Sequence, residues 1–537
     1  MNTNKLFLAI AGLVTLCYTS CTNLDDINND PNLVTTLDAD LMLTSVEFLP
    51  GTNSNTQYRN FIYPGGWLNQ WTGSWAVTEY GGVGQYNQSY SERLWFSSYP
   101  EVIKNVIDLI ENTKDNPEKV NVNSIAKVLK VYNFQRLTDV YGDIPYSEAG
   151  KGYTDNILTP KYDTQEFIYE DFFKELKEAV NNLDETQKVP SSDLFYNGNI
   201  EKWKKFANSL RLRVAMRLIK VNPEKAKAEF ESAVRDGVFT SNDDIAFIKY
   251  DNVQNAGNGT GQGNGVSNYL YGINSANGSQ SWLTTDIAEV MEEMQDPRLL
   301  KRYYAYVAYT DPNRTDITNT VFAIRKSYAA MTVEAQKFSH DENVKYNVSG
   351  SLKLPINGKE QTVSLAYTRL RPSKYLMAFD APYIYMGYAE VEFLLAEAAF
   401  RNWDVPGTAS EHYAKGLAAA INQMNLFGAP VTTQEVTDFV ASNPLTSGQE
   451  LNGINTQLWI LHIIDPLEAW ANYRRSGYPD IKFYNRYPTK NASNGVAPRR
   501  LPYPIDEQSK NEENYRAAAA RIKGGDTWTS RVWWDKE

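Results

Sequence analysis

The most informative stretch of this chain is N-S-I-A-K-V-L-K-V-Y-N-F-Q-R-L-T-D-V-Y-G-D-I-P-Y, residues 123–146. Its apolar residues fall on nearly every side of a helical wheel, a pattern typical of a helix that neighbours cover from several directions. Asn123 or Ser124 is predicted to cap the helix start. Gly142 is predicted to adopt the left-handed conformation just past the end, and Pro145 prevents continuation. The chain is therefore predicted to be a large helical protein wrapped around at least one buried central helix.

Other segments show the same helical periodicity. Apolar residues recur at helical spacing in residues 163–183, where Asp163 is the expected cap, and in residues 199–220. The second of these segments carries five basic residues: Lys204, Lys205, Arg211, Arg213 and Arg217. A basic run of this kind is interpreted as a solvated face or as partners for nearby acids. Another helix is predicted from Asn222-Pro223, because proline favours the first helical position.

Two segments near the C-terminal end carry cap signals. Thr408 and Glu411 form a capping box, and the helix that they open follows another at residues 388–400. Small residues on both helices allow close approach: Ala396, Ala399, Gly416, Ala418 and Ala419. This pattern predicts one antiparallel pair of the tetratricopeptide (TPR) type, although the consensus motifs of that repeat are missing. Residues 466–475 form a further predicted helix, with Asp465 as cap, Glu468 closing a capping box and Gly477 at its end.

Two regions lack a helical pattern. Residues 251–282 are rich in Gly and Asn and are predicted to form a long loop, either functional or a surface excursion. Residues 311–374 have a β-like pattern, with strand candidates at 320–325 and 361–367. A minor β insertion is expected there, so the predicted fold class is mainly α, with long irregular loops.

The first residues resemble a lipoprotein signal. Lys5 precedes a short apolar core at residues 6–16, which is too short to span a bilayer. Tyr18-Thr19-Ser20-Cys21 follows and resembles a lipobox, so residues 1–20 are predicted to be a signal peptide and Cys21 the lipidated residue. The alternative is ordinary cleavage near Ser20 with a free cysteine. Residues 21–37 are predicted to be an extended leader, and residues 38–537 a single domain.

Composition excludes several function classes. The net charge of -11 disfavours nucleic acid and anionic lipid as partners. Two cysteines, one of them inside the signal segment, leave no disulfide framework or cysteine metal site. The three histidines (His340, His412 and His462) are not at HExxH spacing, so no metal and no cofactor is predicted. No motif selects a catalytic pair from the 64 Asp and Glu residues, and the protein is predicted not to be an enzyme.

Aromatic residues supply the candidate binding sites. The chain has 35 Tyr and 12 Trp, a surplus suited to surfaces that stack flat ligands while a polar edge stays wet. One candidate group comprises Trp67, Trp71, Trp75 and Tyr86. The three tryptophans lie four apart, so one helix would align them on one face, either as a stacking platform or as core. The other group comprises Asn268, Tyr269, Tyr271 and Trp282, where Asn side chains can pair with ligand hydroxyls as donor and acceptor.

Seven motifs in order give the chain a family resemblance. They are T-D-V-Y-G-D-I-P-Y (138–146), W-K-K-F-A-N-S-L-R-L-R-V-A-M-R (203–217), D-P-R (296–298), Y-A-E-V-E-F-L-L-A-E-A-A (388–399), E-A-W-A-N-Y-R-R-S-G-Y-P (468–479), P-R-R-L-P-Y-P (498–504) and R-V-W-W (531–534). With these motifs the chain resembles the SusD/RagB family of outer-membrane lipoproteins of Bacteroidetes. The pair Asp25-Asp26 after Cys21 also looks like the signal that exports such lipoproteins to the cell exterior.

The resemblance implies a SusD-like fold with a TPR-like helical scaffold. It also implies capture of oligosaccharides at the cell surface beside a SusC-like TonB-dependent transporter, with the lipid anchor holding the protein at the outer membrane. Capture of oligopeptides for the same type of transporter is the alternative. A scaffold with no ligand of its own and a glycosidase are further hypotheses, and the second requires two carboxylates about 5–10 Å apart.

Overall fold

The computed structural model describes residues 38–537, apart from 74–79, 82–83, 153, 256–260, 276–280, 306–350, 357–358, 365–369 and 482–492. Helices dominate this part of the chain. The α-helices are α1 (Ala39–Phe48), α2 (Ser54–Trp67), α3 (Gln88–Ser91), α4 (Arg93–Ser98), α5 (Lys104–Thr113), α6 (Val120–Tyr141), α7 (Gln165–Asn182), α8 (Ile200–Arg217), α9 (Pro223–Asp236), α10 (Gly265–Ser275), α11 (Thr285–Glu293), α12 (Pro297–Arg302), α13 (Lys374–Met377), α14 (Tyr388–Phe400), α15 (Ala409–Asn422), α16 (Thr433–Ser442), α17 (Glu450–Leu461), α18 (Pro466–Ser476), α19 (Glu507–Lys510) and α20 (Glu512–Arg521).

The strands form small antiparallel ladders. The pairs are β1 (Trp71–Gly73) with β5 (Ser281–Leu283), β2 (Ile144–Pro145) with β3 (Tyr162–Asp163), β4 (Ala246–Lys249) with β10 (Pro382–Met386), β6 (Tyr303–Ala305) with β9 (Leu370–Pro372), and β7 (Ser351–Ile356) with β8 (Lys359–Ser364). Within the described ranges, no helix is both long enough and apolar enough to span a bilayer. The predicted fold class, a mainly α architecture with minor β structure, is confirmed.

Helix α6 is the buried central helix that the sequence predicts. It packs against α1, α5, α7, α8 and α18, and apolar residues on all its sides are fully buried. The helix begins at Val120, three residues before the predicted cap. Asn123 therefore does not cap it, and its side chain donates to the carbonyl of Ile110 and the hydroxyl of Thr113. Gly142 ends the helix with a positive φ of 83°, but its ψ of -123° lies outside the left-handed helical conformation that was predicted.

Two other predicted caps have different partners in the structure. Thr164, and not Asp163, accepts from the backbone of Phe167 at the start of α7, because Asp163 belongs to β3 and binds Ser147. Asp465 precedes α18 but makes no cap bond, because Arg136 of α6 binds both its oxygens at 2.7 and 2.8 Å. The predicted Pro466 start is confirmed.

The basic run on α8 is mostly buried. Arg211, Arg213 and Arg217 are each 1% exposed, so the solvated-face interpretation is wrong for them, and the pairing interpretation is confirmed. Arg213 makes two 2.7 Å bonds to Glu390 of α14. Arg217 binds Glu468 of α18 at 2.5 Å. Burying a charge is costly unless a partner compensates it, and these pairs fix the relative positions of three helices.

Helices α14 and α15 form the predicted antiparallel pair. The Thr408–Glu411 capping box is present at the start of α15. Gly416 lies so close to Phe393 that a Cβ at this position would be 2.6 Å from the ring. The small residue therefore sets the distance between the two helices.

The predicted loop at 251–282 is wrong in part. The segment contains α10 and β5. Its Gly-rich and Asn-rich composition conceals the apolar residues that pack α10 against α2, which is why the sequence did not predict this helix. The predicted strand at 361–367 corresponds to β8, which forms a hairpin with β7. The other predicted strand, 320–325, lies outside the described residues.

Candidate ligand-binding surface

The β1–β5 ladder brings the two predicted aromatic groups together. Thr72 lies opposite Trp282, and Trp71 lies opposite Leu283. The backbone of Thr284 donates to the carbonyl of Gln70 at 3.1 Å, which continues the pairing beyond the ladder. Segments that are about 210 residues apart in the chain are therefore neighbours, which the sequence alone does not predict.

Trp67 and Trp71 belong to the core, so their prediction as a stacking platform is corrected. Trp67 ends α2 and Trp71 begins β1, because Asn69 between them has a φ of 51° and breaks the helix. Trp71 is fully buried and its indole N–H donates to the carbonyl of Ile463 at 2.8 Å. Trp67 is 4% exposed and packs against the rings of Tyr63, Trp470 and Trp528. Neither ring presents a face to solvent.

Asn268 and Tyr269 are also buried. The Asn268 side chain accepts from the backbone of Asn255 at 2.8 Å and donates to the carbonyl of Asn264 at 2.9 Å. Its polar groups hold the chain before α10 and face away from solvent. Tyr269 packs against Phe61 with ring centroids 5.1 Å apart. As packed here, both residues are structural, and their predicted role as ligand contacts is corrected.

Three predicted residues lie outside what the structure describes. Trp75 belongs to an undescribed segment. Tyr271 is in α10 and Trp282 is in β5, but their side chains are not among the described ones. Their predicted role in binding stays a prediction.

Among the predicted site residues whose side chains the structure describes, Tyr86 reaches the surface. Its side chain is 44% exposed, and its ring packs against Trp528 in a T-shaped arrangement with centroids 5.8 Å apart. Beneath it, Trp528 packs on Tyr63 and Trp67, so Tyr86 rests on a rigid aromatic base. Burial, followed by the charge of Glu92, raises the pKa of Tyr86 above its ordinary value. The phenol therefore stays protonated at neutral pH and can both donate and accept a hydrogen bond.

Tyr63 fixes the loop that carries Tyr86. The Tyr63 hydroxyl accepts from the backbone N–H of Asn87 at 2.9 Å. The Asn87 side chain caps α3 by accepting from Tyr90 at 3.2 Å. Gly84, at the start of this loop, has a φ of 72°, a conformation that glycine adopts at low cost. The loop that presents Tyr86 is therefore held in place by the hydrogen bonds of the next residue, Asn87.

Sequence reasoning missed several residues of this surface. Trp528 supports Tyr86 but stands alone in a polar segment, where no periodicity marks it. Phe96 and Ile505 are 39% and 49% exposed, and the backbone N–H of each donates to Glu92. Phe96 follows Glu92 by one helical turn, and the backbone of Ile505 donates to the Glu92 carboxylate at 2.7 Å. The charge of Glu92 also acts on Tyr86, and we group Tyr86, Phe96 and Ile505 around Glu92 as the Tyr86 surface.

A buried cluster of Glu390, His462 and Glu468 has the residue types of a metal site. The carboxylates are already engaged, since Arg213 binds Glu390 and Arg217 binds Glu468. His462 lies 3.7 Å from Glu390. The guanidinium groups of Arg213 and Arg217 would repel a metal cation bound to these carboxylates. We therefore interpret the cluster as part of the ion-pair network between the helices.

Comparisons with known proteins agree with this fold. The model of the SusD-like family matches residues 39–504. This family is described as starch-binding and associating with the outer membrane. A solved chitin-binding protein is 34% identical over 93% of this chain and 100% of its own, with a TM-score of 0.76. No curated protein matches the chain.

Two further solved structures are SusD-like. One, from Bacteroidetes AC2a, is 33% identical over 93% of this chain and 100% of its own, with a TM-score of 0.80. A chitin-binding SusD homologue from Flavobacterium johnsoniae is 24% identical over 92% of this chain and 97% of its own, with a TM-score of 0.66. The helical fold, the seven ordered motifs and the family match lead to one conclusion: the chain belongs to the SusD-like family, which is described as starch-binding and associating with the outer membrane.

Proposed function

We propose that this protein is a cell-surface lipoprotein that captures oligosaccharides and passes them to a SusC-like TonB-dependent transporter. Family membership supports binding of a glycan, and the exposed Tyr86 ring on its aromatic base is the observation that carries the proposal. Sugar rings have apolar C–H faces that stack on phenol rings, while the hydroxyl of Tyr86 can bond to sugar hydroxyls. Trp75 and Trp282 are proposed as further contacts.

Chitin oligosaccharides are the first ligands to test. A solved relative that is 34% identical is named as a chitin-binding protein, and the family description names starch. Both are neutral polymers, and a chain with a net charge of -11 does not repel a neutral ligand. Oligopeptides remain the alternative class for the same surface.

The direct test is calorimetric titration of the purified protein with chitin oligosaccharides, starch oligosaccharides and oligopeptides. Replacing Tyr86 with Ala should weaken oligosaccharide binding by about 1 kcal/mol, because stacking on the ring is lost. Since Tyr86 is exposed, the melting temperature should change little. Unchanged oligosaccharide affinity in this variant would move the site away from Tyr86.

The matched control is Phe96→Ala, which removes another exposed aromatic ring of the Tyr86 surface. A loss confined to Tyr86→Ala places the sugar at Tyr86. An equal loss in both variants indicates a ligand that covers the whole surface. Purified protein should also leave the oligosaccharides intact, and hydrolysis would contradict the proposal of binding without catalysis.

A further inference from the structure

We propose that a groove at the C-terminal end of the chain is a second oligosaccharide-binding site. The C-terminal groove lies between the turn at Gly142–Asp143, the first turn of α7, the end of α20 and the segment 529–537. Its volume is about 900 Å³, within the range of clefts that bind small molecules. The inference rests on the proposed function, because it assigns the same class of ligand to a second place.

The walls of the groove are pre-formed. The carbonyl of Asp143 accepts from the Tyr503 hydroxyl at 2.8 Å, and its carboxylate accepts from Arg521 of α20 at 2.6 Å. Next to the lining residue Trp533, Trp534 is fully buried and its indole N–H donates to Asp139 of α6 at 2.9 Å. These bonds tie three parts of the chain to the core around an open space. Little of the protein therefore has to become ordered when a ligand enters the groove, so little binding free energy is lost to ordering.

The charges of the groove are nearly balanced. Five of its lining residues are Lys or Arg and four are Asp or Glu. The three arginines are already paired, since Arg500 binds Asp526, Arg521 binds Asp143 and Arg531 binds Asp535. An ion of either sign would meet a neighbour of the same sign, which disfavours charged ligands. A neutral ligand with many hydroxyl groups suits this lining.

An aromatic ring supplies the apolar contact. Trp533 is half-buried, lines the groove and packs at its inner side against Tyr169 with centroids 6.0 Å apart. Around it, Thr529 and Lys523 are exposed and carry groups that donate hydrogen bonds. One partly exposed indole surrounded by donors and acceptors is the arrangement that binds a sugar ring by stacking and hydrogen bonding. This combination, and not the volume alone, points to an oligosaccharide.

The groove is close in sequence to the Tyr86 surface but separate from it. Trp528 contacts Tyr86, and the following residues, from Thr529 onward, line the groove. None of the three residues that define the Tyr86 surface lines the groove. Two binding places on one chain would strengthen the capture of a polymer, because attachment at one place raises the local concentration at the other.

The test places a reporter in the groove. The full chain is produced with 5-fluorotryptophan, and the Trp533 signal is assigned by its disappearance in Trp533→Phe. Titration with chitin oligosaccharides should shift this signal, and the shift should persist in a Tyr86→Ala background. In that background, adding Trp533→Ala should weaken the remaining oligosaccharide binding about five- to tenfold.

A second variant guards against loss of folding at Trp533. Lys523→Ala removes an exposed donor and should weaken binding in the groove while the melting temperature is unchanged. A Trp533 signal that does not move, while calorimetry reports binding that depends on Tyr86, overturns the second site and leaves the proposed function intact. A shift that disappears with Tyr86→Ala also overturns it, because the effect would then be transmitted from the Tyr86 surface. If the wild-type protein binds no oligosaccharide at all, the proposed function fails as well.

Discussion

Buried arginines connect several helices of this protein through ion pairs. Arg475 of α18 makes bonds of 2.8 and 2.9 Å to Glu397 of α14, and both side chains are fully buried. The family motifs contain both residues, but sequence patterns alone favour an exposed position for arginine. Their burial becomes predictable only when the acid on a distant helix is known. For the same reason, the sequence of the basic run on α8 indicated acidic partners but did not show whether the run is buried or exposed.

Removing the acid of this pair should be costly. Glu397→Gln leaves Arg475 buried without its counter-charge, and we expect the free energy of unfolding to fall by about 3–5 kcal/mol. Chemical denaturation at neutral pH measures this loss. The control is Glu512→Gln, which breaks an exposed pair with Arg516 and should cost less than about 1 kcal/mol. Equal losses in the two variants would contradict the account.

The pH dependence of the same pair has a definite sign. Burial alone would raise the pKa of Glu397, but the charges and hydrogen bonds of Arg475 and Arg401 together outweigh burial and lower the pKa to about 2. Because the unfolded value is about 4.3, the contribution is complete above pH about 5 and is lost as the pH falls towards about 2. The stability difference between wild type and Glu397→Gln should therefore shrink over that interval. A constant difference would show that the carboxylate charge is not responsible.

At the scale of elements, helix contacts depend on single small residues. Gly416→Ala on α15 should lower the free energy of unfolding by about 1–3 kcal/mol, because the new methyl group would meet the Phe393 ring at 2.6 Å. Gly453→Ala on α17 is the matched control, since its Cβ would meet the end of the Leu445 side chain at 3.3 Å and the Tyr413 hydroxyl at 4.0 Å. Alanine favours a helix interior over glycine by about 0.5–1 kcal/mol, so this variant should be neutral or slightly more stable. Thermal denaturation of both proteins distinguishes the two outcomes, and destabilisation of equal size would contradict the packing argument.

The sequence predicts elements well where periodicity is strong. Helix α6, the pair α14–α15 and the start of α18 were predictable from apolar spacing, the Thr408–Glu411 capping box and Pro466, which act locally, although the caps predicted at Asn123 and Asp465 were wrong. The aromatic site was less predictable. Trp67 and Trp71 have helical spacing, but the left-handed Asn69 ends the helix between them. Trp528 joins Tyr86 through a contact between residues 442 positions apart, which no local pattern reveals.

At the scale of the whole molecule, the proposed function requires an anchor. The lipobox-like segment before Cys21 is the proposed anchor signal, and we propose residues 21–37 as a leader and residues 38–537 as a single domain. Replacing Cys21 with Ala should move the protein from the membrane to the soluble fraction, because multiple acyl chains would no longer hold it. Fractionation with detection by antibody measures this shift. Ser20→Ala is the control, since it preserves a small residue before the cysteine and should leave the protein with the membrane; a membrane-bound Cys21→Ala variant would contradict the anchor.

The proposed transporter partner can be identified together with the ligand. Purification of the protein from its native outer membrane in mild detergent, followed by mass spectrometry, should recover a large TonB-dependent barrel. Small molecules released on denaturation of the same sample report what the complex had captured. Recovery of the protein alone would remove support for the transporter role, although the Tyr86 surface could still bind a ligand.

The central claim is that this protein binds oligosaccharides through its exposed aromatic surface. The most direct measurement is calorimetric titration of the full chain in mild detergent with chitin oligosaccharides, with oligopeptides as competitors. The account predicts saturable binding of the oligosaccharide that peptides do not displace and that weakens in Tyr86→Ala. Binding of peptides with no heat from any oligosaccharide would contradict it.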